Sequence, residues 1–217
     1  MKKITIILVV CLLCATATVS AQFTNSSSAG ASQSSDLNGW SGIRVSYSPM
    51  QVKSDGETDS FRGLSAGFVK GFRLASQSPV FMEVGANFLW SNSSEDDYDT
   101  EINLNMYSIN VPLNIGYRYS INEEFSIFPY AGITARGNIS GKFTASYDGE
   151  KESLNIFDED DMGDDYTFNR FQVGWQIGFG VNLNRFYLSA SFGTDFNELA
   201  KDLKISSIPS VTLGINF

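Results

Sequence analysis

The sequence predicts an all-β fold: a closed, eight-stranded, antiparallel up-and-down transmembrane β-barrel, apolar outside and polar inside. Three observations carry this. First, the stretch 169–184, NRFQVGWQIGFGVNLN, alternates without a break. Phe171, Val173, Trp175, Ile177, Phe179, Val181 and Leu183 fall on one face. Arg170, Gln172, Gly174, Gln176, Gly178, Gly180 and Asn182 fall on the other. Successive strand residues point to opposite faces, so the period is that of a strand and not of a helix. Second, seven other segments repeat the pattern, joined in turn by long polar stretches and short turns. Antiparallel neighbours tolerate such turns, and eight strands can close without leaving an edge. Third, the polar faces hold Gly, Ser, Asn and Gln with few long charged residues, which suits a narrow packed lumen better than a water-facing surface.

Taken in order, strand one starts near Trp40 and places Ile43, Val45 and Tyr47 on its apolar face. A polar loop is expected over 50–61. Strand two, about 63–75, carries Leu64, Ala66, Phe68, Phe72 and Leu74, with Lys70 as a misfit on the same face. A local bulge near Val69 to Gly71 would turn Lys70 inward; otherwise it must snorkel to the rim or mark a protein contact. After the turn at Ser76–Pro79, strand three, about 80–90, presents Val80, Met82, Val84, Ala86, Phe88 and Trp90. An acidic loop is expected near 91–103. Strand four, about 105–119, presents Tyr107, Ile109, Val111, Leu113, Ile115, Tyr117 and Tyr119. Strand five, about 125–140, is the least regular, because Phe128 and Tyr130 fall on the polar side. The longest acidic loop is expected over 141–168, followed by the strand over 169–183. A minimal turn at Asn184-Arg185 leads to strand seven, about 186–196. A polar loop over 197–207 precedes the last strand, 208–217, in which Val211, Leu213, Ile215 and Phe217 share one face.

The N-terminus reads as an export signal over residues 1–21. Lys2 and Lys3 precede an apolar run from Ile4 to Leu13, and Val19-Ser20-Ala21 supplies small residues before Gln22. The run is too short to span a bilayer as a helix. A lipoprotein signal is the rival reading, but Val10 and Leu13, not small residues, precede Cys11 and Cys14. Residues 22–38 are Ser-rich and read as a flexible leader, which leaves 39–217 as the barrel. An exported chain with aromatic residues near its strand ends and long loops on one rim only belongs in an outer membrane. A soluble ligand-binding barrel with its apolar face inward is the less favoured arrangement.

Composition excludes several kinds of chemistry. The chain has no His, and its only two Cys lie within the signal segment. The usual general base and a thiol nucleophile are therefore both missing after export. No enzymatic activity, cofactor or catalytic set is expected. A formal charge of −9 argues against nucleic acid as a partner.

Three stretches also resemble a known family. Ile109-Asn110-Val111-Pro112-Leu113-Asn114-Ile115-Gly116-Tyr117-Arg118-Tyr119 is similar to an "I-P-L-x-x-x-Y-R" strand, and Pro129-Tyr130-Ala131-Gly132 to the "P-Y-x-G" strand that follows it. Both belong to the small outer-membrane β-barrel domain family of Gram-negative bacteria, the porin-like and PorT-like barrels. The alternating end Val211, Leu213, Ile215, Phe217 resembles that family's C-terminal signal for the barrel-assembly machinery. The resemblance implies a fold and a compartment; the family is functionally mixed.

Two groups of residues are candidates for function. The inward-facing set Arg44, Arg73, Glu83, Arg118, Arg136, Arg170 and Asp195 would give the lumen a positive bias. It reads either as a hydrogen-bonded plug or as a narrow anion path, with Arg73 and Glu83 placed to pair across a short turn. The acidic loops read as a solvated surface or as a divalent-cation site that bridges to lipopolysaccharide. The run from Asp158 has an EF-hand-like start, but Met162 stands where a ligand belongs, and no metal set is assigned. Outer-membrane lipid and the assembly machinery are the expected partners. The expected role is structural or interactive at the envelope: membrane integrity, surface contact or envelope assembly. A narrow small-solute channel is the alternative.

Overall fold

The computed structural model describes residues 39–54, 57–74, 78–97, 100–147, 150–162 and 168–217. The export signal, the leader and residues 163–167 of the longest acidic stretch lie outside these. Among the described residues there are eleven strands: β1 (Gly39–Tyr47), β2 (Met50–Ser54), β3 (Glu57–Arg73), β4 (Val80–Asp97), β5 (Thr100–Tyr117), β6 (Tyr119–Ser120), β7 (Phe125–Tyr147), β8 (Glu150–Asn155), β9 (Phe171–Leu183), β10 (Phe186–Asp195) and β11 (Lys204–Asn216).

Eight of them form a closed antiparallel ring. The order is β1, β3, β4, β5, β7, β9, β10, β11, and β11 pairs back onto β1. The closing seam runs from Gly42 opposite Asn216 to Tyr47 opposite Val211. It is extended by a backbone pair, Ser41 N–H to Phe217 O and Phe217 N–H to Ser41 O, at 3.1 and 2.9 Å. Closure satisfies every ladder and leaves no edge in lipid.

The outer face is apolar as the alternation requires. Ile43, Val45, Leu64, Phe68, Phe88, Leu113, Ile115, Ile133, Ile177, Phe179, Leu188, Leu213 and Ile215 are all exposed on it. Aromatic residues gather at two levels. Tyr47, Trp90 and Tyr107 lie on one register line through Leu64. Tyr117, Tyr119, Phe186 and Phe217 ring the end that carries the short turns. Amphipathic rings favour the lipid–water boundary, so the two levels mark the two interfaces. The end with the short turns is the periplasmic rim.

The strands reach well beyond the membrane on the other side. β4 and β5 have 18 residues each and β7 has 23, whereas about 9–11 tilted residues cross a bilayer. The acidic stretch near 91–103, expected as a loop, is therefore mostly ladder: Ser91 to Asp97 pair with Met106 to Thr100. The same holds at the start of 141–168, where Lys142–Tyr147 pair with Asn155–Glu150. Polarity on both faces signals a strand pair standing in water, not the end of pairing; backbone bonds suffice to continue a hairpin. The stretches 50–61 and 197–207 also contribute strand, as β2 and the start of β11.

One register shift occurs in the β5–β7 pair, where Tyr107 faces Ser140 but Ser108 faces Asn138. Ile139 is the extra residue and is exposed. The bulge re-aims β7. Below it Phe128, Tyr130 and Arg136 point inward; above it Gly141 is buried and Phe143 packs on an internal cluster.

By contrast, β3 pairs with β4 without interruption from Arg62–Asn92 to Arg73–Phe81. Lys70 therefore stays on the outer face, half-buried, and its Nζ donates to Ser41 Oγ at 3.3 Å on the neighbouring strand.

The lumen as candidate functional site

The lumen is filled in layers. At the periplasmic end stands an aromatic cluster of Phe81, Phe128, Tyr130 and Tyr187, with Trp40 packed against it. Phe81 meets Trp40 and Phe128 edge to face at 5.3 and 5.7 Å between centroids. Each of four rings lies opposite an inward glycine in register: Trp40 and Gly71, Phe81 and Gly116, Tyr130 and Gly178, Phe128 and Gly180. A Cβ at these glycines would fall 2.1–2.4 Å from the ring. The glycines on the polar face of 169–184 thus make room for the rings on β7.

The polar interior also holds aromatic rings. Phe128 and Tyr130, irregular in the alternation, are inward residues, and Trp40 belongs to the lumen, not to the girdle. Phe81 and Tyr187 occupy polar-face positions that the alternation of their strands did not single out. The matching signal in the sequence is the set of paired glycines, which is visible only once the register is known.

Charged groups are woven through this cluster. Arg44 is buried and lies 3.7 Å over the Tyr187 ring. Its Nη2 donates to Glu83 Oε2 at 3.4 Å and to Asn216 Oδ1 at 2.7 Å. Asn216 in turn donates to Asn182 Oδ1 at 3.0 Å. Glu83 also accepts from Trp40 Nε1 at 3.4 Å. The carboxylate thus pairs with Arg44 from β1, and the pair with Arg73 expected across the short turn is not the one formed. Glu83 stands opposite Gly71, two residues short of Arg73, so the inward line from Gly71 to Arg44 is open to it.

Above lies a small polar chamber of about 60 Å³, lined in part by Ser65, Asn110, Thr134 and Ser210. Its ceiling is a second buried ion pair, Arg136 from β7 with Asp195 from β10. Arg136 Nη1 also points at Met50 Sδ, 3.3 Å away. Beside it runs a buried amide network. Ser108 Oγ donates to Asn138 Oδ1 at 2.7 Å, and Asn138 Nδ2 donates to Gln172 Oε1 at 2.6 Å and to Asn169 O at 2.9 Å.

The extracellular mouth is closed by apolar side chains. One cluster joins Met50 and Val52 of β2, Phe61 of β3, Leu199 and Ile205. A second joins Met106, Ile156 and Phe157. Arg170 is not in the lumen: it is exposed at this end, 4.7 Å over the Phe157 ring, and donates to Ile139 O at 3.3 Å. The register places it past the inward Gln172, where β9 has not yet begun.

Of the seven polar candidates, four are brought together in two ion pairs at two levels, and two, Arg73 and Arg118, line a separate rim cavity. In the acidic stretch, Asp158 Oδ1 accepts from Asp160 N and Asp161 Oδ2 from Asn155 N, which ties down the single helical turn Glu159–Met162. Among the described residues no three possible metal ligands gather.

A closed ring of eight strands, apolar without and tightly filled within, defines a small outer-membrane β-barrel. The chain belongs to the outer membrane protein beta-barrel domain family, whose model matches residues 7–217. The protein is located in the outer membrane of a Gram-negative cell. The chain matches no curated protein. Among solved structures it is similar to Ail, the attachment invasion locus protein of Yersinia pestis, at 21% identity over 83% of this chain and 99% of that one, with a TM-score of 0.43. Neisserial surface protein A is similar at 12% identity over 81% and 95%, with a TM-score of 0.45. The outer membrane enzyme PagL is similar at 13% identity over 80% and 98%, with a TM-score of 0.45.

Proposed function

We propose that this barrel is a non-conducting, non-enzymatic envelope protein whose role is structural and interactive. The observation that carries the reading is the filled lumen: an aromatic plug, two buried ion pairs and an apolar cap stand in series along it. An eight-stranded ring has an interior just wide enough for its own side chains, and here large rings and paired charges occupy it. The surface left for contact is the extracellular ladder of β4, β5, β7 and β8. The buried acids Glu83 and Asp195 are each held by an arginine, and the chain has no His to act as a base, which supports a non-catalytic role. Val211, Leu213, Ile215 and Phe217 all face outward, in keeping with a strand read by the assembly machinery.

Single-channel recording in a planar bilayer tests this, on protein shown to be folded by its heat-shifted gel mobility. No discrete steps are expected. Reproducible steps from folded protein would overturn the plug and favour the small-solute channel.

A further inference from the structure

Beneath the aromatic plug the periplasmic rim opens into a cavity of about 290 Å³, lined by Trp40, Arg73, Ser78, Phe81, Arg118 and Ser120 among others. It lies at the end of the barrel that carries the short turns.

Its charge is unbalanced. The two ion pairs among the described residues, Arg44–Glu83 and Arg136–Asp195, include neither Arg73 nor Arg118. Glu83, the nearest buried carboxylate, is already engaged by Arg44 and Trp40. Arg118 is held in place from two sides. Its backbone N–H donates to Pro79 O at 2.8 Å, and its guanidinium carbon lies over the Trp40 ring at 4.1 Å and over the Phe81 ring at 5.5 Å. Its Nε is buried with no hydrogen-bond partner. An otherwise acidic protein, with a formal charge of −9, thus presents two arginines to one pocket at its periplasmic end.

We propose that this cavity binds a phosphate group. Planar guanidinium forks match the oxygens of phosphate and bind them in bidentate fashion. Ser78 and Ser120 also line the cavity, with Ser78 Oγ accepting from Val80 N–H at 3.1 Å. Two arginines supply the charge that a dianion requires. The volume suits a single headgroup or a small phosphorylated solute and not a long polymer. Two sources share this chemistry: a soluble phosphate compound of the periplasm, and the headgroup of a lipid in the inner leaflet, reached past Tyr117 and Tyr119 on the rim.

Calorimetry on the folded full-length protein in neutral detergent, at fixed ionic strength, separates the sources. Inorganic phosphate is titrated in one arm and micelles doped with short-chain phosphatidic acid in the other. A saturable heat in the first arm assigns a soluble ligand; one in the second arm alone assigns a lipid. In either case R118Q and R73Q should each weaken binding at least tenfold, and R170Q, at the opposite end, should not. The half-exposed Arg73 keeps the test valid if R118Q fails to fold. Heat in neither arm, or heat that both substitutions leave intact, would overturn the proposal.

Discussion

The ring of Tyr130 on β7 lies across Gly178, its direct partner on β9, so closely that a Cβ at 178 would sit 2.3 Å from Cζ. The hydroxyl of the same ring reaches Ser189 Oγ on β10 at 3.4 Å. One side chain thus spans two neighbouring strands, and the glycine between them is what lets it lie flat.

Substitution of these glycines should destabilise the barrel through overpacking. Gly178→Ala and Gly180→Ala are each expected to cost about 1–3 kcal/mol. Gly85→Ala should cost less, since its nearest neighbours are side-chain atoms of Pro112 and Val69 at 3.0 and 3.2 Å. Equilibrium unfolding in urea from lipid vesicles, followed by tryptophan fluorescence, measures the difference.

Arg136 of β7 and Asp195 of β10 are both buried and pair over the intervening β9. Arg136→Met leaves an unpaired buried carboxylate and is expected to lose about 3–5 kcal/mol. The double variant R136M/D195L should recover most of that loss, because it removes both desolvated charges at once. A double-mutant cycle on unfolding free energies reads the coupling directly.

Lys70 sits three residues from the periplasmic end of β3 and Phe68 five, both on the outer face. Near the interface a lysine costs about 0–1 kcal/mol, whereas at the midplane it costs roughly 2–4 kcal/mol. Lys70→Met is therefore expected to change stability by less than about 1 kcal/mol, and Phe68→Lys to lower it by several times more. Unfolding in vesicles, not in detergent alone, is the relevant measurement.

Asn138 uses its side-chain oxygen and amide nitrogen together, accepting from Ser108 and donating to Gln172 and Asn169. Asn138→Ala orphans these partners, and a loss of about 1–3 kcal/mol is expected. Amide hydrogen exchange should show faster opening around the bulge at Ile139, with the periplasmic aromatic cluster unaffected.

The alternation of apolar and polar residues, read on one strand at a time, was enough to place the ring strands, their outward faces and the lipid they meet. Strict period two fixes which face of each strand meets lipid, because a one-residue slip would turn every side chain over. The same reading failed where both faces are polar, as at Ser91–Asp97, because above the membrane water accepts either face and no pattern marks the ladder. It also stopped short of the plug. Phe81, Phe128, Tyr130 and Tyr187 look like breaks in a polar face until each is set against the strand beside it.

The class of fold, the membrane and the direction of each face are thus legible in the chain, since these depend on local periodicity and on the solvent each face must meet. What fills the lumen depends on how the strands come together in three dimensions. That Glu83 takes Arg44 and leaves Arg73 and Arg118 to the rim cavity, that Arg136 finds Asp195, and that Arg170 stacks outside on Phe157 all follow from shear, register and one bulge. These set which residues from distant strands share a level, and no local pattern in the chain records them.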